Sequence, residues 1–546
     1  MSDELTGPAE MTGPAGASDP RGAGFMRFAA VFAGGTMISR ITGLARDIIF
    51  TAMVPSQALG GFLFAFSLPN MLRDMLGEGA SNAAVVPVLS ERRVHAGEEG
   101  YRRALESILG SMLLVFVVIT AAGILLMPLA PLLLNALTFF TGRPLPQEAG
   151  DLQQLVRIMQ WTFPYFIMIC MAAVIMGPLF IRGRYAVASW SPSLLNLAFI
   201  AACVILIRRF QHPAWALVTG LWIGGLLQLG AMWWDLARSH GPVIPRPALR
   251  DPSFRQVLTL LVPVAIGQSA GEVNKLVDRF FAMSLGEDKV LALYLSNRLV
   301  QLPLAMFGVA VSVALLPELS RLNAVGRREE TRRLLMKGFS QTLFLIGPAM
   351  GVLIALREPL VQLLFERGAF TEEATKLSSD ALFYASLGLV SFAWLRMANQ
   401  GFYADHDTRT PVMLGALSMG LNILLNMILV RPMGYLGLAL STSVCYTVNF
   451  MLLYGFLWRR YGALADAGWL ARVSGITLAS VVAGAAGWTA WHAWSAELPQ
   501  EGFSGRAAGT FFALAVSGTV YLAVCAALRL PDLREFLGGL RRHAAR

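Results

Sequence analysis

Two arginines, Arg40 and Arg298, lie deep inside long apolar stretches of the sequence. Burying a charged side chain in a lipid bilayer costs at least ~2.5 to 3.5 kcal/mol, so such a residue usually serves a function or a partner. Arg40 is about twelve residues into its stretch, roughly 18 Å along an apolar core ~30 Å thick. Neither arginine has an evident acidic partner nearby in the sequence. Because the planar guanidinium group matches phosphate oxygens, both are predicted to bind an anionic substrate.

Further polar residues accompany these arginines. In the first predicted helix, Ser39 and Arg46 are seven residues apart and share one stripe, with Gly43 between them. Such a polar sector suits one wall of an aqueous cavity. The candidate substrate-binding set is Ser39, Arg40, Arg46, Asn70, Arg73, Glu78 and Arg298. In the alternative interpretation these charges only fasten helices together, Arg46 pairing with Asp47 and Arg73 with Asp74 or Glu78.

A second set of oxygen-bearing side chains lies in later apolar stretches: Asp278, Asn422, Asn426 and Thr442. Oxygen ligands of this kind suit a hard cation such as Na⁺, and a carboxylate inside a membrane is also a plausible proton site. The sequence therefore offers a candidate site for a coupling ion, Na⁺ or H⁺, with no other cofactor expected. Alternatively, Asp278 pairs with Arg279 or Lys275, and the asparagines form hydrogen bonds between helices.

The composition places these residues in a membrane protein. Of the 546 residues, 55% are hydrophobic and only 14% are charged, whereas soluble domains carry roughly 25% charged residues. The net charge of +10 comes from basic residues scattered among short loops, so no nucleic-acid partner is expected. The four cysteines lie in apolar stretches without metal-ligand spacing, and neither a disulfide nor a metal site is expected from them.

The apolar stretches predict an all-α polytopic membrane protein with about 14 transmembrane helices. They begin near residues 28, 60, 104, 157, 186, 214, 255, 289, 338, 378, 411, 434, 472 and 507. Lysine and arginine are more frequent in the loops after even-numbered helices, which predicts that those loops are cytoplasmic. With an even number of helices, both termini are then cytoplasmic.

A short internal repeat suggests how the helices are grouped. Residues 87–90 read PVLS and residues 317–320 read PELS, each before a basic loop. An offset of six helices keeps the direction of insertion, so two parallel six-helix lobes are expected, with a substrate site between them. The expected division is a disordered tail (1–25), a first lobe (26–238), a second lobe (239–461), two additional helices (462–530) and a basic cytoplasmic tail (531–546).

Several motifs resemble those of the MurJ (MviN) family of lipid II flippases. Residues 39–47 read SRITGLARD, and LPN at 68–70 is followed by Arg73 and by EGA at 78–80. NRL at 297–299 and GAFT at 368–371 are similar to later motifs of the same family. The similarity covers nearly the whole chain after the first 25 residues.

The resemblance implies the fold of the MOP transporter superfamily, with two further helices bounding a groove for a polyprenyl tail. It also implies that the protein flips lipid II from the cytoplasmic to the periplasmic leaflet of the bacterial inner membrane by alternating access. The family's cavity arginines match Arg40, Arg46, Arg73 and Arg298, and its proposed sodium site is similar to the Asp278 set. The expected partners are lipid II, membrane lipids and other proteins of cell-wall synthesis and division.

Two positions depart from the family pattern, since Gly60 stands where the family often carries an Asp and Gln301 where some relatives carry an acid. Mechanisms that need those carboxylates are therefore in doubt for this chain. The alternatives are a flippase for another polyprenyl-diphosphate glycolipid, a MATE-like antiporter and a membrane glycosyltransferase. An antiporter for cationic drugs should have an acidic site, which the arginines disfavour, and the first external loop has no carboxylate for a glycosyltransferase.

Overall fold

The structure is a computed structural model that describes residues 20–142, 144–145, 149–462, 465–497 and 502–544. Within these residues the regular structure is entirely helical, as the fold class predicts. Helices are the expected outcome because a segment in lipid must satisfy its own backbone hydrogen bonds. The helices are α1 (Pro20–Met53), α2 (Ser56–Leu76), α3 (Glu78–Leu126), α4 (Ala130–Thr141), α5 (Ala149–Thr162), α6 (Tyr165–Ile181), α7 (Ala186–Trp190), α8 (Pro192–Leu206), α9 (Ala214–His240), α10 (Pro252–Leu285), α11 (Glu287–Pro303), α12 (Val309–Ala324), α13 (Arg328–Ala355), α14 (Arg357–Phe365), α15 (Glu372–Ser386), α16 (Leu389–Ala404), α17 (Arg409–Met433), α18 (Tyr435–Tyr461), α19 (Ala467–Glu497), α20 (Gly502–Ala527) and α21 (Pro531–Ala544).

Ten helical runs in the described part of the chain are long and apolar enough to cross a membrane, or twelve when two bent pairs each count as one span. One of the ten, Ser56–Thr141, has 86 residues, far more than the ~20 that one crossing needs. The expected number of fourteen therefore stays a prediction.

Glycine and proline mark the breaks between and within the spans. The backbone leaves the helical region at Gly97 inside α3, with φ 65° and ψ −167°, a conformation that glycine adopts readily. Pro303 ends α11, and a π-helical turn over residues 304–308 connects it to α12. Proline has no backbone N–H to continue the α-helical pattern. Such breaks let one apolar run bend or reverse direction.

Two boundaries differ from the sequence expectation. Helix α1 begins at Pro20, so residues 20–25 are helical and not part of a disordered tail, consistent with the tolerance of proline in a first helical turn. The remainder of that tail, residues 1–19, lies outside the described residues. Glu78 begins α3 and does not extend α2, because the backbone leaves the helical region at Gly77, with φ −83° and ψ −127°.

Most helix contacts fall within two groups of consecutive helices, α1 to α9 and α11 to α18. In the first group α8 packs against α9, α3 against α6, and α1 against α8. In the second, α17 packs against α18 and α16 against α12, α13 and α18. The hairpin of α19 and α20 packs mainly against α13. Helix α10 contacts α2 and α3 as well as α17, so it connects the two groups.

The two groups also touch through main-chain atoms near the loops predicted to be external. The N–H of Ala369 donates to the Ala52 carbonyl at 2.8 Å. Gly368 has φ 60°, and a Cβ there would lie 2.0 Å from the same carbonyl oxygen. Arg431 at the end of α17 donates to the carbonyls of Phe139 and Phe140 in α4 at 2.7 and 3.1 Å. These contacts hold the groups together at one end of the molecule.

Candidate functional site

Asp47 of α1 is the centre of a cluster of charges between the two helix groups. It is 2% exposed, and its carboxylate has two arginine partners. Arg46 Nη2 lies 2.6 Å from Oδ1, and Arg298 Nε from α11 lies 2.8 Å from Oδ2. One carboxylate is therefore shared by two guanidinium groups, one from each helix group.

Two neutral side chains complete the hydrogen bonding of this cluster. Arg46 donates to the Tyr294 hydroxyl at 3.0 Å, and that hydroxyl donates to Asp47 at 3.2 Å. Arg46 Nη1 also donates to the Asn196 side-chain carbonyl at 3.1 Å. The Asn196 amide nitrogen donates in turn to the Ser39 carbonyl at 3.2 Å. Asn196 on α8 thus fixes both Arg46 and the backbone of α1.

Aromatic rings and one glycine determine how closely these groups approach. Phe50 and Phe199 pack edge to face at 5.3 Å between ring centres, and the Arg46 guanidinium lies 5.6 Å and 5.7 Å from the two centres. The Arg298 Nη2 atom would lie 3.3 Å from a Cβ on Gly43. The absence of a side chain at position 43 allows Arg298 to lie directly against α1.

The charge balance of the cluster leaves one positive charge in excess. Arg46 and Arg298 contribute two cations, and Asp47 contributes one anion. The Arg298 side chain remains 36% exposed and uses Nε for Asp47. Its terminal nitrogens can therefore bind the oxygens of a second anion, and charge-assisted contacts of this kind are the stronger class of hydrogen bond.

The remaining predicted substrate-binding residues do not all join this cluster. Arg40 is exposed and has neither an ion pair nor a hydrogen bond with any described residue. Arg73 pairs with Asp74 at 2.6 Å, as the structural alternative predicts. Ser39 contributes its backbone carbonyl, and Asn70 is partly buried on α2. The side chain of Glu78 lies outside the described residues.

Arg298 has no acidic partner nearby in the sequence, as expected, but it has a distant one. Its partner is Asp47, 251 positions away in the sequence, so inspection of neighbouring residues could not find it. Arg46 pairs with Asp47 as the alternative interpretation predicts, but this pair also reaches across to α11. Whether these arginines bind substrate stays a prediction.

The sequence interpretation missed Tyr294 and Asn196. Tyr294 lies one turn before Arg298, so the two share a helix face. Asn196 is an isolated amide in the apolar sequence of α8, and such polar residues often form hydrogen bonds between membrane helices. Both signals were present in the sequence, but neither indicates which distant group is the partner.

The structure brings the four residues of the predicted cation site together. Asn426 Nδ2 donates to Asp278 Oδ1 at 2.6 Å, and the Thr442 hydroxyl donates to Oδ2 at 3.2 Å. Asn426 also donates to the Asn422 carbonyl oxygen at 3.0 Å. The Ser441 hydroxyl donates to Asn426 and adds a fifth residue that was not predicted.

The alternative pairing of Asp278 is not found among the described residues. Lys275 pairs with Glu272 at 2.6 Å, and Arg279 forms no ion pair with a described acid. Among the described residues, Asp278 is therefore held by neutral donors only. One carboxylate with amide and hydroxyl oxygens fits a monovalent hard cation in both charge and ligand type.

Comparison with known proteins extends the motif resemblance to most of the chain. A model of the family "Lipid II flippase MurJ" matches residues 50–499. A probable lipid II flippase MurJ of Vibrio cholerae is 32% identical over 433 residues, covering 79% of this chain and 82% of that protein. A lipid II flippase MurJ of Burkholderia cenocepacia is 30% identical over 465 residues, covering 84% and 88%.

Solved structures agree on the fold. A lipid II flippase MurJ in an inward closed conformation superposes with a TM-score of 0.73 at 21% identity, covering 91% of this chain and 99% of that one. An inward-facing multidrug resistance transporter of the MATE family and MOP superfamily gives a TM-score of 0.60 at 17% identity, covering 80% and 98%. The predicted all-helical membrane fold is thus confirmed, apart from the exact number of spans, and the family match over residues 50–499 shows that the chain belongs to the MurJ family of lipid II flippases.

Proposed function

We propose that this protein moves lipid II, the diphosphate-linked precursor of peptidoglycan, from the cytoplasmic to the periplasmic leaflet. It is a transporter and not an enzyme, as its family membership indicates. The observation that supports the proposal most directly is the carboxylate of Asp47, which binds Arg46 in its own helix and Arg298 in the other lobe.

The charge cluster suits a diphosphate. Moving a bare diphosphate through an apolar core would be prohibitive by Born solvation, so protein groups must replace its water. The exposed N–H groups of Arg298 can donate hydrogen bonds to phosphate oxygens, and a bound diphosphate then competes with Asp47 for that arginine. Substrate binding would thereby weaken the Arg298–Asp47 ion pair that connects α1 to α11. Alternating access requires such a change, because the two lobes must move relative to each other. Arg40, exposed and without a partner in the described part of the chain, supplies a second cation.

The Asp278 site is proposed to bind the coupling cation, Na⁺ or H⁺. Asp278, Asn422, Asn426 and Thr442 would hold Na⁺ through side-chain oxygens, and the ion would supply the charge that neutralises Asp278. In the structure, the Asn426 amide nitrogen donates a hydrogen bond to one carboxylate oxygen of Asp278. A rotation of that amide would present its oxygen to the ion.

The protein is a multi-pass membrane protein, and we place it in the bacterial cytoplasmic membrane with both termini in the cytoplasm. The bias of basic residues toward alternate loops supports this orientation. Reporter fusions at Gly97 and Arg328 should read cytoplasmic, and one at Thr371 periplasmic. A periplasmic signal at Arg328 would reverse the orientation.

Membrane lipids and other proteins of cell-wall synthesis and division are the remaining proposed partners.

The direct test is reconstitution into vesicles with labelled lipid II, followed by an assay of its accessibility on the outer leaflet. Transport should be faster than in empty vesicles and should respond to an imposed Na⁺ gradient, H⁺ gradient or voltage. A polyprenyl diphosphate with an unrelated sugar serves as the control substrate. Equal transport of both substrates would assign a broader specificity for polyprenyl-diphosphate glycolipids.

A further inference from the structure

A polar pocket lies away from both sites, between α14, α19 and α20. Its volume is about 480 Å³, and its lining includes Arg357, Glu358, Trp488, Trp491, His492 and Arg506. The apolar span of α13 ends at Ala355, just before Arg357. The tryptophans lie in the last turns of α19, and Arg506 lies in the second turn of α20. The pocket is therefore at the level where these spans leave the membrane.

One end of the pocket can accept an anionic group. Arg357 donates to the Ile354 carbonyl at 3.0 Å and packs on the Phe383 ring at 5.3 Å. It has no carboxylate partner among the described residues. Arg357 is also the first residue of α14, and the N-terminus of a helix attracts negative charge. A cation fixed at such a position suits a phosphate group.

Of the other charged residues at the pocket, two form an ion pair with each other and one acid has no partner among the described residues. Arg506 pairs with Glu366 at 2.8 Å, and Glu366 also accepts the Thr375 hydroxyl at 2.7 Å. Glu358 is exposed and forms no ion pair or hydrogen bond with a described residue. The pocket therefore presents one uncommitted cation, Arg357, and one uncommitted anion, Glu358, on adjacent residues.

The rest of the lining is typical of a site at the surface of a bilayer. Tryptophan is enriched at the level of lipid headgroups. The rings of Trp488 and His492 pack at a tilt of 35°, with their centres 4.0 Å apart. Below the pocket, Val481 of α19 and Phe511 of α20 are each 63% exposed, so apolar side chains cover the outer surface of this hairpin. Acyl chains can lie on this surface while a headgroup occupies the pocket.

We propose that this pocket binds the headgroup of a zwitterionic phospholipid of the phosphoethanolamine type, with its phosphate on Arg357 and its ammonium group on Glu358. Among the described residues, the free charges of the pocket sum to zero, which matches a headgroup of zero net charge better than an anionic one. The apolar surface below favours a lipid over a soluble phosphate compound. This inference does not depend on which lipid the central cavity transports.

The test uses the full-length protein in a neutral detergent, with bound lipid counted by native mass spectrometry. Dioleoyl phosphatidylethanolamine should bind roughly tenfold more tightly than dioleoyl phosphatidylglycerol, since one charged contact is worth about that factor. Glycerophosphoethanolamine, which has the same headgroup without acyl chains, should bind far more weakly. Preference for phosphatidylglycerol, or equal binding of the chain-free headgroup, would overturn the assignment.

Two variants separate the roles of the charges. Arg357→Gln should reduce binding of both lipids about tenfold or more, whereas Glu358→Gln should remove the preference for phosphatidylethanolamine and retain binding. Arg208→Gln, an exposed arginine before α9, is the matched control and should change neither. If Arg357→Gln lowers the melting temperature, Glu358→Gln decides the outcome alone because its side chain is exposed. If Glu358→Gln keeps the preference for phosphatidylethanolamine over phosphatidylglycerol, the pocket is not the binding site.

Discussion

Two carboxylates inside the helical bundle, Asp47 and Asp278, have opposite surroundings. Asp47 is bound by two arginines that come from different lobes. Asp278 is bound by an amide and a hydroxyl, both from helices of the second lobe. The first carboxylate is overcompensated by positive charge, whereas the second has no ion-pair partner among the described residues. The two sites therefore suit ligands of opposite charge.

Under the proposed function, the difference gives the two sites different parts in a transport cycle. An ion pair between lobes can be exchanged for a bound anion, so the Asp47 cluster would couple substrate binding to lobe movement. A carboxylate held by neutral groups within one lobe changes its net charge when a cation or proton binds, so the Asp278 cluster can couple an ion to the shape of that lobe.

The largest expected effect comes from removing the shared carboxylate. Asp47→Asn leaves Arg46 and Arg298 close together without a counter-charge, and breaking a buried pair in this way costs about 3 to 5 kcal/mol. Complementation of flippase-depleted cells should fail, and the melting temperature of the purified protein should fall. Asp278→Asn, which breaks no ion pair with a described residue, should lower it much less. An equal loss of stability in both variants would contradict the proposed difference between the surroundings of Asp47 and Asp278.

A smaller effect is expected from the arginines themselves. Each charge-assisted contact is worth roughly 1.5 to 3 kcal/mol, so Arg298→Ala or Arg40→Ala should weaken lipid II binding on the order of tenfold to a hundredfold. Arg298→Lys should also be impaired because it keeps the charge and loses the planar fork. Binding, growth and membrane abundance are measured together. Well-inserted alanine variants with normal transport would make these arginines structural.

The Asp278 site should affect coupling more than binding. Asp278→Asn removes the single carboxylate but keeps the hydrogen-bonding shape, so lipid II binding should remain within a few-fold of the wild type. The response of transport to an imposed gradient should weaken. The measurement is the transport rate in vesicles with and without each gradient. Transport that ignores every gradient in the wild type as well as the variant would exclude a coupling role.

The smallest effect is expected at Gly43. A Cβ there would lie 3.3 Å from Arg298 Nη2, and the end of a flexible side chain can move by a few tenths of an ångström. Gly43→Ala should therefore reduce lipid II binding less than tenfold and change stability little. Gly34→Ala on the same helix, where a Cβ would meet nothing within 4 Å, is the control. A loss as large as that of Arg298→Ala would show that the spacing of α1 and α11 is stricter than the structure indicates.

The sequence predicted the helical fold and the Asp278 set well because both follow local or typical patterns. Apolar runs force helices in lipid, and ionisable or amide side chains inside apolar spans stand out and tend to pair with one another. The pairing of Arg298 with Asp47 could not be predicted, since it depends on how two lobes meet. The break at Gly77, which separates Glu78 from Arg73, depends equally on a backbone conformation that the sequence alone does not determine.

The contact of Arg431 with α4 has a consequence for how this protein can evolve. Its guanidinium donates to two backbone carbonyls, those of Phe139 and Phe140, and the neighbouring contact of Ala369 with Ala52 joins two main chains. Every residue carries a carbonyl, so substitutions on the receiving helix do not remove the acceptor. The side chains of α4 can therefore diverge between lineages while the association of the two lobes at this end persists, and genetic drift there should be tolerated more readily than at Arg431.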